Sequence, residues 1–491
     1  MTGFFRLMQK DGKWLFADEN GKPFYSLGVN CFSYGPGIHL RMRPPVGDDG
    51  VRWFDRWAER RLDEVWGLGF NTLGAWPAPS LSALPIPKTI EIRCSRNARK
   101  VNRGWGGFPD VFDPSFPASA HAEMVNTFRF YRTGNLAEDP TVIGFFLDNE
   151  LRWFGTGGRW GFTNAGIGRV ETGLAEDYIQ LDGSAAGKRA WVRFLEEKYG
   201  TIEKLNESWQ AEYLSFGELL DRKEYRAEEK AYEEDKLGFL RLIAKTYFET
   251  VTGIFRMYDK NHLILGCREL GASTPDAVFE VMKDYVDVVS ANFYAMELPE
   301  AWMEHVHKLT GKPLMITEFC FSEGAGAGFP KATNGAQRTE VPNQTRRGEC
   351  YREFVRAAAA KPYIVGSHWF ALNDFHDADG LCGNYGLYDK DDRLWSEFAG
   401  WVGRTHREVL QDRRFESDVE RERQAASGLL ASRVDSAARR IEDAVRKSAV
   451  AAAAAARPGA YERYKEAIAA AGKGRSLGKT ITDQDGSPAK R

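Results

Sequence analysis

The chain has 491 residues, with 67 basic against 69 acidic side chains and a formal net charge of -2. Hydrophobic residues make up 43% and charged residues 28%, the balance of a globular protein with ample room for a core. Mini-protein and collagen-like classes are excluded, and nothing in the charge balance points to a nucleic-acid partner.

Six cysteines, Cys31, Cys94, Cys267, Cys320, Cys350 and Cys382, are scattered without a Cys-x-x-Cys pair or a zinc-type spacing, so they read as reduced thiols and no metal or other cofactor is expected. No run approaches the ~20 apolar residues of a membrane span. Met1 to Phe16 holds no signal-peptide core, which makes the cytoplasm the expected compartment unless a leader has been removed. Aromatic residues reach 13%, an excess that serves either core filling or the lining of a cleft.

In chain order, Phe4 to Phe16 and Phe24 to Asn30 read as extended stretches about a turn at Asp18 to Lys22. Trp53, Phe54, Trp57, Leu62, Val65, Trp66 and Leu68 then recur at near-helical spacing, and Gly69 stops the pattern. Apolar runs of strand length keep alternating with helical stretches. The eight strand candidates are Phe24–Asn30, Phe70–Trp76, Thr89–Cys94, Val142–Asp148, His262–Arg268, Val286–Asn292, Pro313–Phe319 and Tyr363–Trp369. Helices are predicted at Ala120–Tyr131, Ala185–Tyr199, Lys236–Tyr258, Pro299–Thr310 and Thr345–Ala360. Repeated βα units on this scale predict an α/β fold, a (β/α)8 TIM barrel with a short N-terminal β-hairpin. A doubly wound open sheet competes, but no G-x-G-x-x-G or P-loop sequence supports it.

The barrel with its hairpin is assigned to residues 1–414. Residues 415–491 form a tail with 19 alanines, 15 basic and 11 acidic residues and no tryptophan. Leu430, Val434, Ala437, Ile441, Val445 and Ser448 predict an amphipathic helix there, a candidate for homo-oligomer formation, with disorder over roughly the last twenty residues.

In a parallel barrel the chemistry lies at the C-terminal ends of the strands. Two candidate strands end in glutamate, at Asp148-Asn149-Glu150 and at Ile316-Thr317-Glu318. A carboxyl group behind an apolar strand is poorly solvated and needs a partner or a task. Two such groups on one rim are the equipment of glycoside hydrolysis, one acid and one ionised carboxylate. The competing reading pairs each glutamate with an arginine such as Arg152 or Arg268. Asp148 would share a strand face with Glu150, Glu269 would pair with Arg268, and the acidic run Glu228 to Asp235 would be a solvated helix start.

These two motifs, with Val365-Gly366-Ser367-His368-Trp369-Phe370, Phe108-Pro109-Asp110, Leu265-Gly266-Cys267-Arg268 and Asn384-Tyr385-Gly386-Leu387, resemble the clan A glycoside hydrolases, and most of all the family 50 β-agarases, from about Gly12 to Trp401. The family 42 β-galactosidases come second. The resemblance implies a retaining hydrolase of β-linked galactose-type oligo- or polysaccharides, with Glu150 as acid/base and Glu318 as nucleophile. It further implies that Asn149 holds the 2-hydroxyl of the sugar, Tyr294 orients Glu318, and Trp369 forms the platform under the sugar. His368, Asn30, Asn292, Arg268 and Trp76 are further candidates for substrate binding. A raised pKa is expected for Glu150 and a low one for Glu318.

Agarases of this kind usually carry an accessory β-sandwich ahead of the barrel, whereas only about twenty residues precede the first strand here. An intracellular β-galactosidase-like exo-enzyme acting on short sugars is therefore the alternative. A non-catalytic carbohydrate-binding protein on the same barrel is the alternative of another class.

Overall fold

Asp11 and Gly12 both lie in the left-handed region, at φ 52° and 72°, which is the backbone of a tight two-residue hairpin turn. They split the first predicted stretch into β1 (Arg6–Lys10) and β2 (Lys13–Ala17), paired antiparallel, and β2 pairs in turn with β3 (Pro23–Phe24). In this computed structural model the described residues are 3–33, 48–78, 81, 84–102, 107–130, 135–157, 171–329, 334–378 and 381–412. The chain divides into two units, Met1–Val419 and Glu420–Arg491. The predicted tail helix and its disordered end lie outside the described residues.

After the hairpin come β4 (Ser26–Val29), β5 (Thr72–Leu73), β6 (Lys88–Glu91), β7 (Val142–Phe146), β8 (Leu263–Ile264), β9 (Glu269–Leu270), β10 (Val289–Asn292) and β11 (Leu314–Phe319). They are followed by short β12 (Ser322–Glu323) and β13 (Glu340–Val341), then β14 (Ile364–Trp369), β15 (Phe375–Ala378) and β16 (Leu381–Gly383). Nine of these make one curled, all-parallel sheet in the order β8-β7-β6-β5-β4-β14-β11-β10-β9. Its two edge strands, β8 and β9, belong to one stretch of chain, interrupted where Gly266 and Arg268 turn left-handed at φ 82° and 51°. That stretch bonds on one side to β7, through Leu265 N to Phe145 O at 2.8 Å, and on the other to the chain entering β10, through Asp287 N to Ile264 O at 2.8 Å.

Helices Asp48–Gly67, Phe116–Phe130, Ala186–Tyr199, Glu229–Tyr258, Glu300–Thr310 and Gln344–Ala360 connect the strands close to their predicted places, and Ser396–Asp412 follows. Among the described residues no helix is long and apolar enough to cross a membrane. All six cysteines are free.

Phe5 and Phe16 from the hairpin join Ile143, Phe146, Leu265, Val288, Met315 and Val365 in one buried apolar cluster. Several of these lie at or just before the starts of their strands, so the hairpin plugs that end of the sheet and leaves the strand ends for the site. Each such side chain contributes roughly 1.5–3 kcal/mol by leaving water.

His368 belongs to this interior and not to a sugar pocket. It is fully buried, its Nε2 lies 2.8 Å from Ser26 Oγ, and burial depresses its pKa to about 3, so it stays neutral. It sits opposite Gly28 in the β14–β4 pairing, where any Cβ would come within 2.3 Å of its ring. The acidic run also departs from expectation at Asp235, which is fully buried and accepts from Trp209 Nε1 at 2.7 Å and Tyr199 OH at 2.8 Å.

Candidate active site

The strand order brings the ends of β7, β10 and β11 to one place. Strand β7 stops at Phe146, so the two-residue alternation no longer holds at Asp148 and Glu150. Asp148 turns away from the site, accepting from Ser95 N at 3.1 Å, Ser95 Oγ at 2.8 Å and Tyr247 OH at 2.6 Å. Burial lifts its pKa to about 6 against those donors. Glu150 follows in a left-handed conformation, φ 56°, and is 5% exposed.

Glu150 and Glu318 sit at the two ends of one hydrogen-bonded chain. Asn292 Nδ2, at the end of β10, donates to Glu150 Oε1 at 2.9 Å and to Asn149 Oδ1 at 3.3 Å. Arg268 Nε donates to the same Asn149 oxygen at 2.8 Å, and Arg268 Nη2 reaches Glu318 Oε1 at 2.5 Å as an ion pair. Tyr294 OH donates to the other Glu318 oxygen, Oε2. Thr317 Oγ1 donates to Asn292 Oδ1 at 2.7 Å, which fixes the direction of the Asn292 amide. Thr317 went unremarked in sequence, because a threonine inside a buried strand has no signature of its own.

Glu318 is 3% exposed, and burial raises its pKa above the ordinary glutamate value. The charge of Arg268 and the Tyr294 hydroxyl pull it back, but burial is the larger effect, so the expected low value is not met. The arginine pairing weighed as a competing reading is present at Glu318, yet it comes with a tyrosine donor and a second carboxyl in the same network. Glu269 does not pair with Arg268; it accepts from Thr274 Oγ1 at 2.7 Å and is fully buried.

Of the remaining candidates, Trp76 is half-buried, with the Arg268 guanidinium 4.7 Å from its ring centre. Asn30 is engaged by the backbone around it. Its Nδ2 donates to Thr317 O at 2.8 Å and Trp369 O at 3.1 Å, and its Oδ1 accepts from Ala75 N at 2.8 Å, so it ties strand ends together. Trp369 is not a platform either: it is fully buried among Phe319, Tyr351 and Phe398, with ring centres 5.4, 5.3 and 5.0 Å away. The next residue, Phe370, faces the site, its ring 6.1 Å from Tyr294 and 6.2 Å from Trp76. An aromatic pair at a strand end does not say in sequence which ring turns inward.

No protein-family profile matches the chain. Beta-agarase B of Vibrio sp. (strain JT0107) is 28% identical over 441 residues, covering 76% of this chain and 44% of that protein. The chain is a homologue of beta-agarase B. It spans less than half the length of that curated relative. A crystal structure described as an agarase superposes with a TM-score of 0.71 at 24% identity, covering 84% of this chain and 65% of the other. An exo-beta-agarase does so with a TM-score of 0.70 at 20% identity, covering 84% and 66%. The resemblance to β-agarases read from the strand-end motifs is thus borne out, and the agarase homologue shares its fold with these structures.

Proposed function

We propose that this chain is a retaining glycoside hydrolase cleaving β-linked galactose-type oligo- or polysaccharides on a closed (β/α)8 barrel. The observation that carries the reading is Glu318, buried at the end of β11 between Arg268 and Tyr294 and linked through Asn149 and Asn292 to a second buried carboxyl, Glu150. The agarase homology supports the substrate class. Barrel closure is supported by the β8–β9 stretch, which supplies both edge strands of the sheet and bonds to β7 on one side and to the chain entering β10 on the other.

In the proposed reaction Glu150 protonates the glycosidic oxygen as Glu318 attacks the anomeric carbon, which breaks the bond to the leaving sugar and forms a glycosyl ester. Glu150, now ionised, takes a proton from water; the water oxygen attacks the same carbon and releases Glu318. Arg268 and Tyr294 hold both oxygens of the nucleophile in a fixed direction before attack. Asn149 commits its carbonyl oxygen to Arg268 and Asn292, which leaves its amide N–H groups for the 2-hydroxyl of the sugar. The carboxyl groups are expected ~5–5.5 Å apart, the separation of a retaining pair.

The test is turnover of 4-nitrophenyl β-D-galactoside and neoagarotetraose by wild type, Glu318→Ala and Glu150→Ala. Glu318→Ala should lose at least about 1,000-fold in kcat. Azide should restore part of it, giving the α-glycosyl azide, whereas Glu150→Ala with azide should give the β-product. Sugar binding without cleavage by wild type would leave a carbohydrate-binding protein instead.

A further inference from the structure

Glu91, the last residue of β6, takes no part in the chemistry above, yet its side chain is only 2% exposed at the rim of the same strand ends. Its Oε2 accepts from Trp76 Nε1 and, at 2.9 Å, from Arg93 Nε. Its Oε1 is buried and has no partner among the described residues. Arg268 Nη1 is likewise buried without a partner, on a guanidinium that lies 4.7 Å from the centre of the Trp76 ring. An acceptor and a donor, each without a partner among the described residues, therefore flank one half-buried tryptophan beside the proposed nucleophile.

We propose that Glu91 Oε1 and Arg268 Nη1 bind two hydroxyls of the sugar lodged beside Trp76, which makes Glu91 a specificity-determining residue; this rests on the glycosidase reading. If Glu91 only clamped Trp76 and Arg93, one oxygen would suffice, since both clamps use Oε2. A second carboxyl oxygen left buried and unpaired carries a desolvation penalty that nothing offsets. A sugar hydroxyl removes that penalty by donating to Oε1, and a neighbouring hydroxyl accepts from Nη1. The geometry suits a neutral polyhydroxyl ligand: an anionic group at this position would meet the Glu91 carboxyl. Glu91 also acts on Glu318 through its charge, which places the two within electrostatic reach.

The experiment compares kcat/KM of wild type, Glu91→Gln and Glu91→Ala on 4-nitrophenyl β-D-galactoside and neoagarotetraose, then on monodeoxy derivatives of whichever is cleaved. Glu91→Gln retains an oxygen for Trp76 and Arg93, so it guards against a simple failure of Glu91→Ala to fold. One deoxy position should slow wild type about 10- to 100-fold, the range for a lost hydrogen bond to a charged group. That penalty should vanish in Glu91→Ala and shrink in Glu91→Gln, while penalties at the other positions persist. If every deoxy penalty is the same in wild type and both variants, Glu91 is a clamp and the inference falls while the glycosidase reading stands. If wild type cleaves neither parent substrate, the glycosidase reading falls and takes the inference with it.

Discussion

Glu318 is held against two opposing pulls. Burial disfavours its charge, and Arg268 and Tyr294 restore it, so the acid limb of kcat/KM is the natural readout of the balance. That limb should lie above pH 4.5, the ordinary glutamate value. Tyr294→Phe removes a donor that favours the ionised form, so the limb should move to higher pH and kcat/KM at neutral pH should fall by about 10- to 100-fold. Glu91→Gln removes a negative charge that pushes Glu318 up, so the limb should move the other way. A pH–rate profile of the three proteins checks both signs. Parallel movement in the two variants would mean that the limb belongs to a different group.

At the scale of the element, strand positions were legible because parallel strands buried on both faces read as continuous apolar runs, and each of the eight candidates overlaps a strand of the sheet. The same burial hides which face is which. Glu150 and Glu318 stand out in sequence because a carboxyl group at an apolar strand end is conspicuous on either face, and the resemblance adds Asn149 and Tyr294; the hydrogen-bonded network joins these four through Asn292 and Arg268. Trp369, His368 and Asn30 were misplaced because an aromatic or amide in that position fits the core equally well. Glu91 escaped notice because a single acidic residue between a short strand and Arg93 looks like a surface ion pair. The β4–β14 pairing offers a direct check on packing. Gly28→Ala would force a methyl into the His368 ring, with an expected cost of about 1–3 kcal/mol. His368→Ala should relieve much of that strain, so the double variant should be less destabilised than the sum of the two single ones. Urea denaturation of the four proteins measures it, and strict additivity would show that the two residues do not meet.

Across the whole molecule the buried titratable groups make stability depend on pH from both sides. Burial depresses His368 to about 3 and His406 to about 4. Both stay neutral in the native state, so their contribution is present above 6.5 and lost as pH falls through those values, because the unfolded chain takes the protons first. Burial raises Asp148 to about 6, Asp374 to about 7 and Glu269 to about 8. Those carboxyls have the opposite sign: their contribution is complete below the unfolded value and is lost as pH rises through the folded one, because the unfolded chain releases its protons first. Glu269 keeps its proton furthest into the neutral range. It is also fully buried, and its Oε2 lies 2.7 Å from the Thr274 hydroxyl, which can donate to a carboxylate or accept from a carboxylic acid or an amide. Glu269→Gln copies the shape of the protonated acid and removes its titration. The variant and wild type should therefore be equally stable near pH 4, and the variant should pull ahead between 4.5 and about 8, the unfolded and folded values. The lead should grow by at most about 1.4 kcal/mol per pH unit, reach a few kcal/mol, and level off above the folded value. Urea midpoints at several pH values across that range check it. A gap that does not change with pH would show that Glu269 is already ionised in the native fold, with a partner for the charge supplied from elsewhere in the chain.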